Sequence, residues 1–197
     1  MTREKTMGAD TDSLDKPGRN EAPYARRTIA LVGLMGAGKS TVGRRLADVM
    51  GRKFYDSDVE IEKAAGLSIS DIFSLHGEAE FRRGERKVLA RLLDEVPHVL
   101  ATGGGAYLDP ETRSLLRQKA VTVWLNADLE TIWKRVSRRD TRPLLRAPDP
   151  KGVLTRLFEE REPIYSLADL SVTSMDGPHH DTVQAILTAL EGWQADG

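Results

Sequence analysis

Five short strand-like runs alternate with longer amphipathic segments along this chain. The runs, at 28–32, 53–58, 98–102, 121–125 and 168–173, are rich in Val, Ile, Leu and aromatic residues and read as strands. Between them the apolar positions recur at helical spacing. Leu46, Val49 and Met50 mark a helix over 42–50, and Phe81, Val88, Leu89, Leu92 and Leu93 mark one over 78–95. Short helices are expected at 59–65 and 68–75, separated at Gly66, and further ones at 110–119, 128–136 and 152–162, the last ending before Pro163. Val183, Ile186, Leu187 and Leu190 align a closing helix over 182–193. Strands alternating with helices predict a three-layer α/β domain, a five-stranded parallel sheet flanked by helices with right-handed crossovers.

Residues 1–25 break this pattern. They are polar, mixed in charge and punctuated by Gly8, Pro17, Gly18 and Pro23, and they read as a disordered N-terminal extension. Residues 26–197 form a single domain. The chain has 197 residues, 40% of them hydrophobic, and a net charge of −1, so no global basic field argues for nucleic acid or an anionic membrane. It contains no cysteine, which suits a reducing cytosol and excludes disulfides and thiolate metal sites. No apolar run approaches a membrane span, and the N-terminus lacks the apolar stretch of a secretory signal. A cytoplasmic protein is expected.

Chemistry enters at Gly33-Leu34-Met35-Gly36-Ala37-Gly38-Lys39-Ser40-Thr41, a match to G-x-x-x-x-G-K-[ST] between a strand and a helix. Glycines let backbone N–H groups converge on phosphate oxygens, and the helix N-terminus behind them favours an anion. Lys39 can reach the terminal phosphates, and the Ser40 hydroxyl can ligate Mg²⁺. A plain glycine turn would not need all four fixed positions in this context.

The run at 53–58 ends in Asp56 and Asp58, two carboxylates at i and i+2 that share a face if the segment is extended. Asp58 can be read as a helix cap, but that leaves Asp56 unexplained. The pair suits Mg²⁺ coordination plus an acceptor hydroxyl at the strand edge where ligands bind. Arg82 beside Phe81 suits a small carboxylate, while its basic neighbours read as a solvated helix face. Gly103, Gly104 and Gly105 at a strand end permit close backbone approach to a ligand. The arginine-dense, proline-punctuated stretch over about 137–152 reads as a mobile lid whose arginines, Arg142 among them, can neutralise charge over bound ATP.

In this order along the chain, GLMGAGKST (33–41), DSD (56–58), FRRGE (81–85), TGGGA (102–106), RPLL (142–145) and REPIY (161–165) resemble the shikimate kinase family over roughly residues 28–192. The resemblance implies a P-loop kinase fold and transfer of the γ-phosphoryl of ATP to the 3-hydroxyl of shikimate, in the biosynthesis of chorismate and aromatic amino acids. It implies that Gly36, Ala37, Gly38, Lys39, Ser40, Thr41 and Arg142 bind ATP, with Lys39, Asp58 and Arg142 catalytic. It implies Mg²⁺ on Ser40 and, through water, Asp56. Asp58, Arg82, Arg161 and Gly103–Gly105 would bind shikimate, Phe73 and Phe81 would flank its ring, and Arg135 would lie near adenine. ATP and shikimate would be the partners of a monomer, without nucleic acid or membrane. A gluconate-type or nucleoside monophosphate kinase is the nearest alternative; a GTPase-like switch lacks its [NT]-K-x-D motif.

Overall fold

The computed structural model describes residues 22–138, 148–175 and 177–194. Within them, five strands form one parallel sheet: β1 (Thr28–Val32), β2 (Phe54–Asp56), β3 (Val99–Ala101), β4 (Ala120–Asn126) and β5 (Leu170–Thr173), in the order β2-β3-β1-β4-β5. Seven helices flank the sheet in the described residues: α1 (Lys39–Met50), α2 (Ser57–Ala65), α3 (Ile69–Leu93), α4 (Pro110–Lys119), α5 (Leu129–Ser137), α6 (Pro150–Tyr165) and α7 (His179–Glu191). The predicted three-layer α/β architecture is the one found.

The apolar runs explain the layering. All five residues of β1 and the first six of β4 are buried, as strands covered on both faces must be. Leu46 of α1, Leu89 and Leu92 of α3, Leu116 of α4, Ile132 of α5, Leu154 of α6 and Ile186 of α7 are fully buried against them. Register then positions the site. Leu31 pairs with Ala101 and with Val123, and Asp56 pairs with Ala101. The segments leaving β1, β2 and β3 therefore emerge side by side at the carboxyl edge of the sheet: the glycine-rich loop, Asp56 and the triple glycine.

Several boundaries differ from the sequence pattern. The segments expected at 68–75 and 78–95 are one run, α3, kinked at Gly77, whose φ of 78° and ψ of 174° are not helical. Helix α6 does not stop before Pro163; it continues to Tyr165. Pro163 removes one donor in the last turn, but the Glu159 carbonyl it deserts is on an exposed residue, and Ser166 N–H closes the turn on the Glu162 carbonyl at 2.9 Å. Helix α6 also begins at Pro150, with Asp149 accepting from Gly152 N–H, so the end of the expected lid range is helical. The rest of that range from 139 to 147, including Arg142, lies outside the described residues. So does most of the expected extension, but its end is ordered. Pro23–Arg26 form a 3₁₀ turn with Tyr24 buried, and Arg52 binds the carbonyls of Arg27 (2.8 Å) and Ala25 (2.9 Å).

At the amino edge of the sheet His98 is fully buried. Its Nδ1 lies 3.1 Å from the Val96 carbonyl oxygen and 3.4 Å from Thr28 Oγ1, Nε2 has no partner, and the Tyr55 ring meets it edge-on at 4.9 Å. Burial pushes its pKa below the ordinary 6.5.

Candidate active site

The loop after β1 is shaped by residues that only glycine can replace. Gly36 has a φ of 84°, and a Cβ there would lie 2.9 Å from Val136 Cγ2; Gly38, with a φ of 99°, caps α1. Lys39 folds back along the loop, donating to the carbonyls of Gly33 (2.7 Å) and Leu34 (3.1 Å). The Ser40 hydroxyl donates to Asp56 Oδ2 at 2.6 Å. The Ala37 side chain is buried, as is that of Leu34, and the Ala37 N–H donates to the Leu34 carbonyl at 3.2 Å. The Ala37 carbonyl accepts from Ser174 Oγ (2.9 Å) and Arg135 (3.2 Å).

Asp56 and Asp58 do not share a face of an extended strand. The strand ends at Asp56, which is itself the cap of α2 and accepts from Asp58 N–H at 3.2 Å; Asp58 is already in the first helical turn. The helix begins early because Asp56 satisfies one of its orphan donors. The result still brings both carboxylates to one cleft. Burial, and then the Asp56 charge, raises the pKa of Asp58 above the ordinary carboxylate value, while Lys39 and Arg82 oppose the rise.

The triple glycine is where these groups close on one another. A Cβ on Gly103 would fall 2.5 Å from Asp58 Oδ1 and 3.2 Å from Glu85 Oε1, and one on Gly105 would collide with the Arg82 guanidinium. Gly103 N–H donates to Ser57 Oγ at 2.8 Å. The Gly104 carbonyl accepts from the Tyr165 hydroxyl. Arg82 lies over the Phe81 ring at 5.2 Å and donates to Glu85 at 2.6 Å and to Glu78 at 3.4 Å. Arg161 and Arg82 both act on Tyr165, whose phenol burial pushes up and the two guanidinium groups pull down. Phe73 and Phe81 stack with centroids 4.5 Å apart.

A cleft of about 500 Å³ joins these parts. Its walls include Met35, Gly36, Gly38, Lys39, Ser40 and Thr41, then Asp56, Asp58, Thr102 and Gly104, then Arg135, Arg138, Gly177 and His179. Arg82, Arg161, Gly103 and Gly105 are not on its wall but adjoin it, through Asp58 and Tyr165. Sequence reasoning missed Glu85 and Tyr165. Both lie one helical turn from an arginine that was identified, Glu85 at i+3 from Arg82 and Tyr165 at i+4 from Arg161, and that spacing was the available signal.

Ser40 and Asp56 offer a hydroxyl and a carboxylate, hard oxygen donors within reach of one cation, which fits Mg²⁺ held chiefly through substrate phosphates. Among the described residues no cluster of three or more His, Asp or Glu could hold a metal unaided, and no helix is long and apolar enough to cross a membrane.

A phosphate loop opening a helix, a carboxylate across the cleft and a five-stranded parallel sheet define an ATP-dependent phosphotransferase of the P-loop kinase class. The comparisons narrow the class. The family model for shikimate kinase matches residues 35–191. Shikimate kinase of Caulobacter vibrioides is 60% identical, covering 86% of this chain and 84% of that protein. That of Bradyrhizobium diazoefficiens is 54% identical, covering 83% and 79%. The structure of shikimate kinase from Acinetobacter baumannii in complex with shikimate is 41% identical, with a TM-score of 0.78 over 84% of this chain and 93% of that one. The chain belongs to the shikimate kinase family.

Proposed function

We propose that this chain transfers the γ-phosphoryl of ATP to the 3-hydroxyl of shikimate, giving shikimate 3-phosphate and ADP. The observation that carries the reading is the meeting of Lys39, from the phosphate loop, and the half-buried Asp58 in one cleft, with Arg82 and the triple glycine behind Asp58. Backbone N–H groups around Gly36 and Gly38, with Lys39 and Thr41, hold the phosphates. Ser40 and, through water, Asp56 would hold Mg²⁺, which would supply charge neutralisation at the phosphates. Asp58 accepts the hydrogen of the acceptor hydroxyl and aims its oxygen at the γ-phosphorus. Lys39 opposes the pull of burial on Asp58.

Arg82 and Arg161 hold the shikimate carboxylate, for which a planar guanidinium fork is suited. Glu85 fixes the direction of Arg82, and Tyr165 stands between the two arginines. Gly103–Gly105 lie against the ring through backbone groups, with Phe73 and Phe81 beside it. Arg142, outside the described residues, serves as an ATP-binding and catalytic arginine. The chain works as a cytoplasmic monomer on ATP and shikimate.

A coupled ADP-release assay across shikimate, quinate, gluconate and AMP tests the proposal. Turnover with shikimate well above the other three is expected. Turnover with AMP or gluconate and none with shikimate would overturn it.

A further inference from the structure

Tyr165 closes α6 and is buried. A buried phenol must find a hydrogen-bond partner, and for stability alone any partner would serve. The partners here lie in the half of the site assigned to the acceptor. The Tyr165 hydroxyl donates to the carbonyl of Gly104, the middle residue of the triple glycine, and accepts from Arg161 one helical turn earlier. The neighbouring carbonyls of Gly103 and Gly105 accept instead from the backbone N–H groups of Ala106 and Leu108, both at 3.1 Å. Gly104 is thus a point at which the loop is held from outside itself. The Tyr165 ring is held in turn, stacked on Trp124 of β4 with centroids 6.3 Å apart and planes 26° apart.

A single peptide group transmits this hold. Among the described residues no peptide bond is cis, so the Gly104 carbonyl and the Gly105 N–H point in opposite directions in one plane. A hydroxyl that fixes the carbonyl therefore fixes the direction of the Gly105 N–H, and Gly105 itself lies against the Arg82 guanidinium. The same phenolic oxygen accepts from Arg161 through a lone pair. We propose that Tyr165 is a positioning residue for the acceptor: its hydroxyl holds the Gly104–Gly105 peptide and the Arg161 guanidinium in one arrangement, so that a backbone donor and a carboxylate-binding fork meet a polyhydroxy acid already aligned. Binding then costs less ordering of the site. The partners of the hydroxyl lie outside the phosphate loop, so nucleotide affinity does not depend on it. The inference rests on the acceptor reading of Arg161 and the triple glycine and deepens it.

The test is steady-state kinetics of the full chain with ATP and shikimate, on wild type, Tyr165→Phe and Trp124→Phe, with a thermal melt of each. Tyr165→Phe keeps the ring and removes only the hydroxyl. It is expected to raise the KM for shikimate about tenfold, as for one lost hydrogen bond, with the KM for ATP within about twofold of wild type. Trp124→Phe loosens the packing under the ring and leaves the hydroxyl; it is expected to melt lower yet keep the KM for shikimate within about threefold. A Tyr165→Phe KM for shikimate within about twofold of wild type overturns the proposal. So do an equal rise in both KM values, an equal effect of Trp124→Phe, and a Tyr165→Phe chain that does not fold, each of which makes Tyr165 a packing residue only. A wild-type chain that leaves shikimate unphosphorylated removes the proposed function and this role together. One that phosphorylates it without the expected split in KM removes only the role of Tyr165.

Discussion

The two halves of the cleft are built by different means. The half proposed for the acceptor, which extends from Asp58 behind the cleft wall, is a set of side chains at contact distance: Asp58, Glu85 and Arg82 crowd against Gly103 and Gly105 so closely that a single methyl group has no room. Glu85 is buried and Asp58 half-buried, and desolvation raises the pKa of both. The nucleotide half is mostly backbone. Its loop takes its form from positive-φ glycines, is laced by Lys39 and Arg135 to carbonyl oxygens, and is walled by half-exposed side chains. Phosphate presents the same oxygens on every nucleotide, so backbone donors suffice. Choosing one small polyol acid among many requires fixed charges in a dry setting, where they discriminate most strongly. Rigid selection is thus concentrated where the substrate is particular.

The contrast can be broken most severely at Asp58. Asp58→Asn is expected to lower turnover about 10²- to 10⁴-fold while leaving ADP affinity within about threefold. Because the folded pKa of Asp58 is raised, its contribution to stability is fully present below the ordinary carboxylate value and is lost as pH rises through the folded value. The Asn variant should therefore melt no lower than the wild type at neutral pH, which calorimetry can check.

Gly103→Ala comes next. Its Cβ would displace Asp58 or Glu85, and a shift of about 1 Å in a reacting group costs about a hundredfold in kcat/KM for the acceptor. Gly104→Ala supplies the internal contrast. Its nearest neighbour would be Met35 N at an ordinary 3.5 Å, so kinetic constants within about threefold of wild type are expected, on the basis that van der Waals contact at that distance carries no strain.

On the nucleotide side, Arg135→Ala removes the ties to Gly36, Ala37 and Met175. It should raise the KM for ATP about tenfold with little change in the KM for acceptor, in keeping with the loss of charge-assisted hydrogen bonds. An equal rise in both would mean that the halves are not separately built.

The smallest effect is expected at His98, at the far edge of the sheet from both halves. Its folded pKa is depressed, so its stabilisation is present above the unfolded value of 6.5 and is lost as pH falls through the window below it. Urea unfolding should weaken by up to about 1.4 kcal/mol per pH unit there. His98→Phe should flatten that loss, and activity at neutral pH should stay near wild type.

Hydrophobic periodicity made the sheet and nearly every helix legible, because strands buried on both faces and helices buried on one leave periods that composition does not obscure. It failed where local chemistry decided the outcome. Asp56 drew the start of α2 back by capping it, Pro163 was tolerated in the last turn, where the carbonyl it deserts belongs to an exposed residue, and Gly77 kinked α3 without ending it. The loop residues, Asp58, Arg82 and Gly103–Gly105 were legible as residue types in a pattern. Glu85 and Tyr165 were passed over although each lies one helical turn from an identified arginine, and their meeting with Gly103 and Gly104 depends on the fold. The inward-turned amide of Ala37 depends on loop closure, which the motif alone does not specify.

The central claim is that the acceptor half reads a carboxylate through fixed guanidinium groups. Steady-state kinetics with shikimate and with its uncharged methyl ester, on the wild-type chain at saturating ATP, address that claim most directly. The account predicts a kcat/KM at least about a hundredfold lower for the ester, since the guanidinium groups of Arg82 and Arg161 lose their charged partner, and an unchanged KM for ATP. Turnover of the ester within about threefold of shikimate would contradict it.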